Sequence, residues 1–454
     1  MKKIALYFIL MLVLLSCFKV SSISLINNEK FDFIIITQTE LKDSFNPLRI
    51  HKESYDISTM IVTLDDIYNE VYFSLNGRDE SEQIKYFIKN AHENWDTDYI
   101  MLVGGKNDMP VRFVHYNYHS NLVFDYICDL YYADLYDEHG SFCSWDSNND
   151  DIFGEINETE IIDEVDLSPD IYVGRILCNT SDEVDVIVNK IIDYEDNAHG
   201  SDWFKKIVLF GGDSQPSFLE FILPPLGLKF GSIAFEGEYM GNKIARILTD
   251  FQAEKIYATG LFKPNIKRLT TENINSAINQ GAGFVQFSGH GFPDRIWTYL
   301  PFSVKFDYRL PQPIGYSVDD VKGLNNVGKL PVMLFSACSN GDFDSLTSPL
   351  AWEFMRHENG GAIGCIANTN PSYLIPSTLC TDTVNGHLIM SFYQEYSDGM
   401  NILGDLWAET IDEYLKDQTA WDLTKLNWRD FKVSHMTLEV WALFGDPTLK
   451  IGGY

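Results

Sequence analysis

Along this chain, short apolar runs alternate with longer stretches in which apolar residues return every three or four positions. The short runs, bounded by Gly, Pro or polar residues, lie at 31–36, 60–64, 99–103, 171–176 and 207–210. Runs of that kind read as strands buried on both faces of a parallel sheet. The periodic stretches at 81–95 and 181–197, and later at 242–251 and 271–279, predict amphipathic helices. A further helix is opened by Ser348-Pro349 and closed by Asn359-Gly360-Gly361, ahead of an apolar strand around Cys365. Alternation of this sort defines the α/β class, with mainly parallel sheets flanked by helices. We divide it into two adjacent subdomains, 30–200 and 201–454, and expect the chemistry in the second. The segment 137–170 breaks the pattern, being rich in Asp, Asn, Glu and Ser, and is expected to be a surface insertion in the first.

Two apolar runs end on reactive side chains. Phe284-Val285-Gln286-Phe287-Ser288 leads into Gly289-His290-Gly291, and Val332-Met333-Leu334-Phe335-Ser336 leads into Ala337-Cys338-Ser339-Asn340-Gly341. Open α/β sheets bind ligands in the crevice beyond the carboxyl ends of their strands, so His290 and Cys338 can meet there although distant in sequence. A thiol beside an imidazole is the arrangement of a thiolate nucleophile with an acid/base partner.

Composition narrows the setting. A formal charge of −31 excludes recognition of nucleic acid through its phosphates and suits a soluble protein outside the cell, or one that holds calcium. Lys2 and Lys3 precede an apolar run from 4 to 15 and then Ser16-Cys17, the layout of a secretory signal within 1–22, too short to span a bilayer. Two processing routes fit: lipidation of Cys17, which would anchor the protein at the membrane surface, or cleavage after Ser21 or Ser22. Either exports the chain, as a secreted or cell-surface protein. Of seven cysteines, setting aside Cys17 and Cys338 leaves Cys128, Cys143, Cys178, Cys365 and Cys380, an odd number and no complete disulfide framework. Cys365 reads as a small core residue, and Cys128 with Cys143 could close a loop.

Taken with Ile100-Met101-Leu102-Val103-Gly104-Gly105, Asp170-Ile171-Tyr172-Val173-Gly174-Arg175-Ile176 and Leu443-Phe444-Gly445-Asp446-Pro447-Thr448-Leu449, the His290 and Cys338 segments resemble the gingipain-type cysteine peptidases. The resemblance covers nearly all of the chain after the signal segment and implies a caspase-like fold. It implies an exported cysteine endopeptidase acting on proteins or peptides, in which Cys338 attacks the scissile carbonyl to form a thioester. It places Asp213, after Gly211-Gly212, as the acid that orients His290; a turn or helix-capping Asp would suit the same position. The N–H groups of Gly291 and Cys338 could face the oxyanion, since small neighbours let substrate come close. Glu238, with Glu236 close by, lies where arginine-cleaving relatives place the carboxylate of the specificity pocket.

Two stretches carry metal-ligand spacing. Asp146, Asn148, Asp150 and Glu155 put oxygen ligands at near-alternate positions, as in a structural Ca²⁺ loop, although not with EF-hand offsets. His115 and His119 have the spacing of a zinc pair but no third ligand nearby. No cofactor is required for the chemistry. The other functions compatible with these residues are a sortase-like transpeptidase that matures exported proteins, and a calcium-binding surface protein with a vestigial site.

Overall fold

The computed structural model describes residues 29–118, 122–157, 160–214, 235–299, 314–375, 378–417 and 432–454. Its core is one sheet of eleven strands. Edge to edge these are Lys267–Arg268, Gln252–Tyr257, Lys206–Gly211, Phe284–Ser288, Val332–Ser336, Gly364–Asn368, Trp441–Phe444, Tyr172–Ile176, Tyr99–Val103, Phe33–Thr37 and Thr59–Thr63. All neighbours are parallel except Gly364–Asn368 and Trp441–Phe444, whose register pairs Cys365 with Phe444 and Asn368 with Trp441. Trp441–Phe444 is parallel to Tyr172–Ile176, so the two halves of the sheet run in opposite directions and meet at this seam. The expected apolar runs are strands of this sheet, Thr59–Thr63 at one edge, and Phe33–Thr37, Phe284–Ser288, Val332–Ser336 and Gly364–Asn368 are buried at every position. Helices flank them, among them Glu80–Trp95, Ser181–Asn197, Val384–Ser397 and Leu403–Lys416.

The helix expected over 242–251 begins six residues earlier, at Glu236, and ends at Ile247. Gly237 and Gly241 look like breakers in the sequence, but here they let the helix approach the sheet. A Cβ on Gly241 would stand 2.4 Å from the Tyr257 hydroxyl, and one on Gly237 2.9 Å from the Gly212 nitrogen. The 137–170 segment has little regular structure, yet it is anchored by buried Trp145, Phe153 and Leu167. Trp145 Nε1 donates to Asp134 Oδ2 at 3.0 Å.

Each half of the sheet has a crevice where the strand order reverses. In the first half it lies between Phe33–Thr37 and Tyr99–Val103, and it is filled: Gln38 Nε2 donates to Val103 O at 2.7 Å and Asp108 O at 2.9 Å. The second crevice, beyond Lys206–Gly211 and Phe284–Ser288, is where chemistry-bearing side chains gather.

One buried acid makes the fold sensitive to pH. Glu439, at the end of Lys432–Glu439, is 1% exposed and accepts from the Tyr126 hydroxyl at 2.6 Å. Burial pushes its carboxyl up to about 7. Because the folded value lies above the unfolded one, this group favours the fold below about pH 4.5 and loses that contribution as pH rises to about 7. Glu439→Gln should therefore be more stable than the parent at pH 8, by up to about 3 kcal/mol, and show little gain at pH 4.5. Urea unfolding at the two pH values checks this; an equal difference at both would show that ionisation of Glu439 is not the cause.

Candidate active site

Strand register sets the two reactive residues at one level of the sheet. Phe284–Ser288 and Val332–Ser336 are adjacent and parallel, with Ser288 opposite Ser336. His290 and Cys338 are each two residues beyond that pair, so they leave the sheet at the same level on strands about 5 Å apart. On the other side, Phe287 pairs with Phe210, which puts Asp213 level with His290 by the same count. This is also the place where the strand order reverses: from Lys206–Gly211 the chain builds outward to Gln252–Tyr257, then returns to build the other way from Phe284–Ser288.

Contacts tighten the arrangement. A Cβ on Gly291 would lie 2.1 Å from the Cys338 carbonyl oxygen and 3.0 Å from its nitrogen, so only glycine lets the histidine segment rest on the cysteine backbone. Asn340, fully buried, donates from Nδ2 to Phe292 O at 2.7 Å and Arg295 O at 3.0 Å, stapling the cysteine loop to the histidine hairpin. That hairpin joins His290–Phe292 to Arg295–Thr298 and places Trp297 against the imidazole, ring centroids 5.6 Å apart. Ser339 takes a left-handed conformation, φ 57°, directly after the thiol, and its N–H donates to Asn370 O at 3.1 Å. Half-buried Cys338 is held by Ser372, whose N–H donates to Sγ at 3.4 Å and whose carbonyl lies 3.4 Å from Sγ.

His290 Nε2 lies 2.7 Å from the carbonyl oxygen of Ser214. Asp213 is next to it, 3% exposed, and its own carbonyl accepts from Tyr299 N–H at 3.1 Å and the Thr298 hydroxyl at 2.9 Å. The two expected specificity acids are both buried, in the first turn of Glu236–Ile247. Glu238 accepts from Thr259 N–H at 2.8 Å and from the Thr259 hydroxyl at 2.7 Å, one on each oxygen, and burial raises its carboxyl. Glu236 accepts from Ser214 N–H at 3.1 Å and Ser214 Oγ at 2.9 Å.

The acidic loop uses its oxygens internally. Asp146 Oδ1 accepts from Asp150 N–H at 3.1 Å, while Oδ2 accepts from Asp151 N–H at 3.1 Å and pairs with the Arg78 guanidinium. Asn148 and Asp150 hydrogen-bond each other, and Glu155 donates its N–H to Asp163 at 2.9 Å. Among the described residues no three His, Cys, Asp or Glu side chains form a metal-sized group. His115 Nδ1 meets Asp125 at 2.7 Å, and His119 lies outside the described residues. Cys128 and Cys143 do not close a loop; they are buried free thiols, as are Cys178, Cys365 and Cys380. The signal segment 1–22, with Cys17, lies outside the described residues; among those described, no helix is long and apolar enough to cross a membrane.

A thiol and an imidazole thus stand at the ends of adjacent parallel strands, at a reversal of strand order, in a mixed α/β fold with a large, mainly parallel sheet flanked by helices. The sequence model of peptidase family C25 matches residues 26–452, and the chain belongs to that family. Gingipain R2 of Porphyromonas gingivalis is 23% identical over 385 residues, covering 81% of this chain and 40% of its own length. Gingipain R1 of the same organism is also 23% identical over 385 residues, with 30% of its length covered. The chain thus spans less than half of these relatives. Among solved structures, the crystal structure of the Arg specific cysteine proteinase gingipain R matches with a TM-score of 0.63 at 18% identity, over 94% of this chain and 78% of that one. The complex of Porphyromonas gingivalis RgpB pro- and mature domains matches at 0.60 and 18%, over 92% and 79%.

Proposed function

We propose that this chain is an exported cysteine endopeptidase acting on protein or peptide substrates through Cys338 and His290. The observation that carries the reading is the register of Ser288 against Ser336, which sets both residues at one level of one crevice, with Gly291 on the Cys338 backbone. Family membership and the gingipain-like fold support the same reading. Export rests on the secretory layout of residues 1–22.

The Ser214 carbonyl can only accept, so the hydrogen of the neutral ring sits on Nε2, leaving Nδ1 to exchange a proton with the thiol. Cys338 Sγ, as thiolate, attacks the scissile carbonyl carbon; a C–S bond forms and the negative charge moves to oxygen, towards the N–H groups of Gly291 and Cys338. Collapse of that adduct breaks the C–N bond, and the imidazolium protonates the departing amine. Water then attacks the thioester, giving its proton to His290, and the thiolate leaves. Asp213 supports the charged ring from the neighbouring strand end.

A peptide-library digest by the full chain, read by mass spectrometry, tests this. Internal cleavage that a thiol-directed acyloxymethylketone stops is the expected result. Peptides joined to an added amine in place of hydrolysis would instead mark a transpeptidase, and no turnover would favour a vestigial site.

A further inference from the structure

Glu236 is a buried carboxylate beside the site with no part in the steps above. It is the first residue of Glu236–Ile247 and 4% exposed. Its Oε2 receives both donors of Ser214, the N–H at 3.1 Å and the hydroxyl at 2.9 Å, while the Ser214 carbonyl meets His290 Nε2 at 2.7 Å. A single residue is therefore gripped by a carboxylate on its donor side and by the imidazole on its acceptor side. The elements that carry the two partners are locked in place. Gly237 N–H donates to Gly212 O at 3.0 Å, and a Cβ on Gly211 would stand 2.5 Å from the Gly237 carbonyl carbon. Neither the helix start nor the strand end can slide without losing the other.

We infer that Glu236 is a positioning residue for His290: through Ser214 it fixes the carbonyl that sets the plane and the tautomer of the catalytic imidazole. The inference rests on the reading of His290 as acid/base partner of Cys338. Proton transfer demands placement of the ring to a fraction of an ångström, and a backbone carbonyl in a loop has that precision only if its residue is held. A carboxylate on the Ser214 side of the ring also favours the imidazolium over the neutral form. The groups that face this unit are Asp213 on the same strand end, Trp297 and Tyr299 from the hairpin, and Cys338 from the adjacent strand. Around Glu236 itself stand Lys243, which pairs with Asp382, and Cys380, whose Sγ is 3.9 Å from the Glu236 carbonyl oxygen. Burial pushes the Cys380 thiol up to about 12, so it stays protonated across the range of the test.

The test compares Glu236→Gln and Ser214→Ala with the parent in the full chain. Glu236→Gln keeps the shape and an acceptor oxygen but removes the charge; Ser214→Ala removes one of the two donors and leaves the backbone carbonyl. The expected result for Glu236→Gln is a fall in kcat of about 10-fold with KM unchanged, and an alkaline limb of the kcat/KM profile displaced to lower pH. Ser214→Ala should lower kcat in the same sense by a smaller factor. A merely structural cap would lower the melting temperature of both variants and leave kcat and the pH profile where they are, and that result overturns the inference. If Cys338→Ala remains active, the catalytic reading itself fails; if Cys338→Ala is inactive while Glu236→Gln behaves as the parent, only the role of Glu236 fails.

Discussion

Cys338→Ala should lower peptide hydrolysis by about 10⁴-fold or more and abolish labelling by an acyloxymethylketone, with a folded protein as the product. The side chain lost is one sulfur in a half-buried position, and what holds the loop is elsewhere. Asn340 still donates to Phe292 O and Arg295 O, Gly341 N–H still donates to Asn368 O at 2.8 Å, and the strand Val332–Ser336 is untouched. The change in stability should therefore stay within about 1 kcal/mol. His290→Ala should be similarly inactive but still folded, since the ring packs on Trp297 and is not part of the core. Hydrolysis at the parental rate by Cys338→Ala would remove the thiol from the mechanism, and with it the proposed activity.

The parts of this site that were legible in the sequence are those where a local pattern and a reactive side chain coincide. A buried parallel strand is apolar on both faces, so Phe284–Ser288 and Val332–Ser336 announce themselves, and His290 and Cys338 stand just past their ends. Ser214 could not be found that way, because it meets the imidazole through a carbonyl that every residue carries. In the sequence Asn340 is only part of a motif; its work is to join two loops that are some fifty residues apart, which spacing along the chain does not encode. The sequence pattern puts Glu236 and Glu238 ahead of their helix, whereas they stand in its first turn, because glycines used for close packing look like glycines that end helices. The reversed seam strand Trp441–Phe444 is apolar like any other, and nothing in a run of four apolar residues reveals which way it will be laid. The pairing of Asp146 with the Arg78 guanidinium, from far upstream, is likewise not visible in the local run of oxygen ligands.

Lys52→Met should destabilise the fold by about 3–5 kcal/mol, although Lys52 is remote from the crevice. Its amine is fully buried, 2.8 Å from Glu195 Oε1 and 2.7 Å from Asp446 Oδ2. Burial alone would push the amine down, but the carboxylates of Asp446 and Glu195 outweigh it and raise it, so the lysine is charged. Three parts of the chain converge here. Lys52 comes from the helix Asn46–Glu53, Glu195 from Ser181–Asn197, and Asp446 from the loop after the seam strand, where its Oδ1 also accepts from Thr448 N–H at 2.8 Å and the Thr448 hydroxyl at 2.7 Å. Lys450 N–H donates to Glu195 Oε1 at 2.9 Å, and His51 Nε2 lies 2.9 Å from Oε2. The Gly445-Asp446-Pro447-Thr448 segment of the family resemblance therefore holds the sheet's seam to the first half; its carboxylate is spent on Lys52 and Thr448. Methionine keeps most of the lysine's volume but leaves two buried carboxylates facing each other without a cation. Lowering the pH to protonate them should recover part of the loss, and adding Glu195→Gln and Asp446→Asn should recover more, because the cost lies in the unpaired charges and not in a missing contact. Urea unfolding of the single and triple variants at pH 7 measures it. A loss below about 1 kcal/mol for Lys52→Met would mean that the ion cluster contributes no more than an exposed pair does.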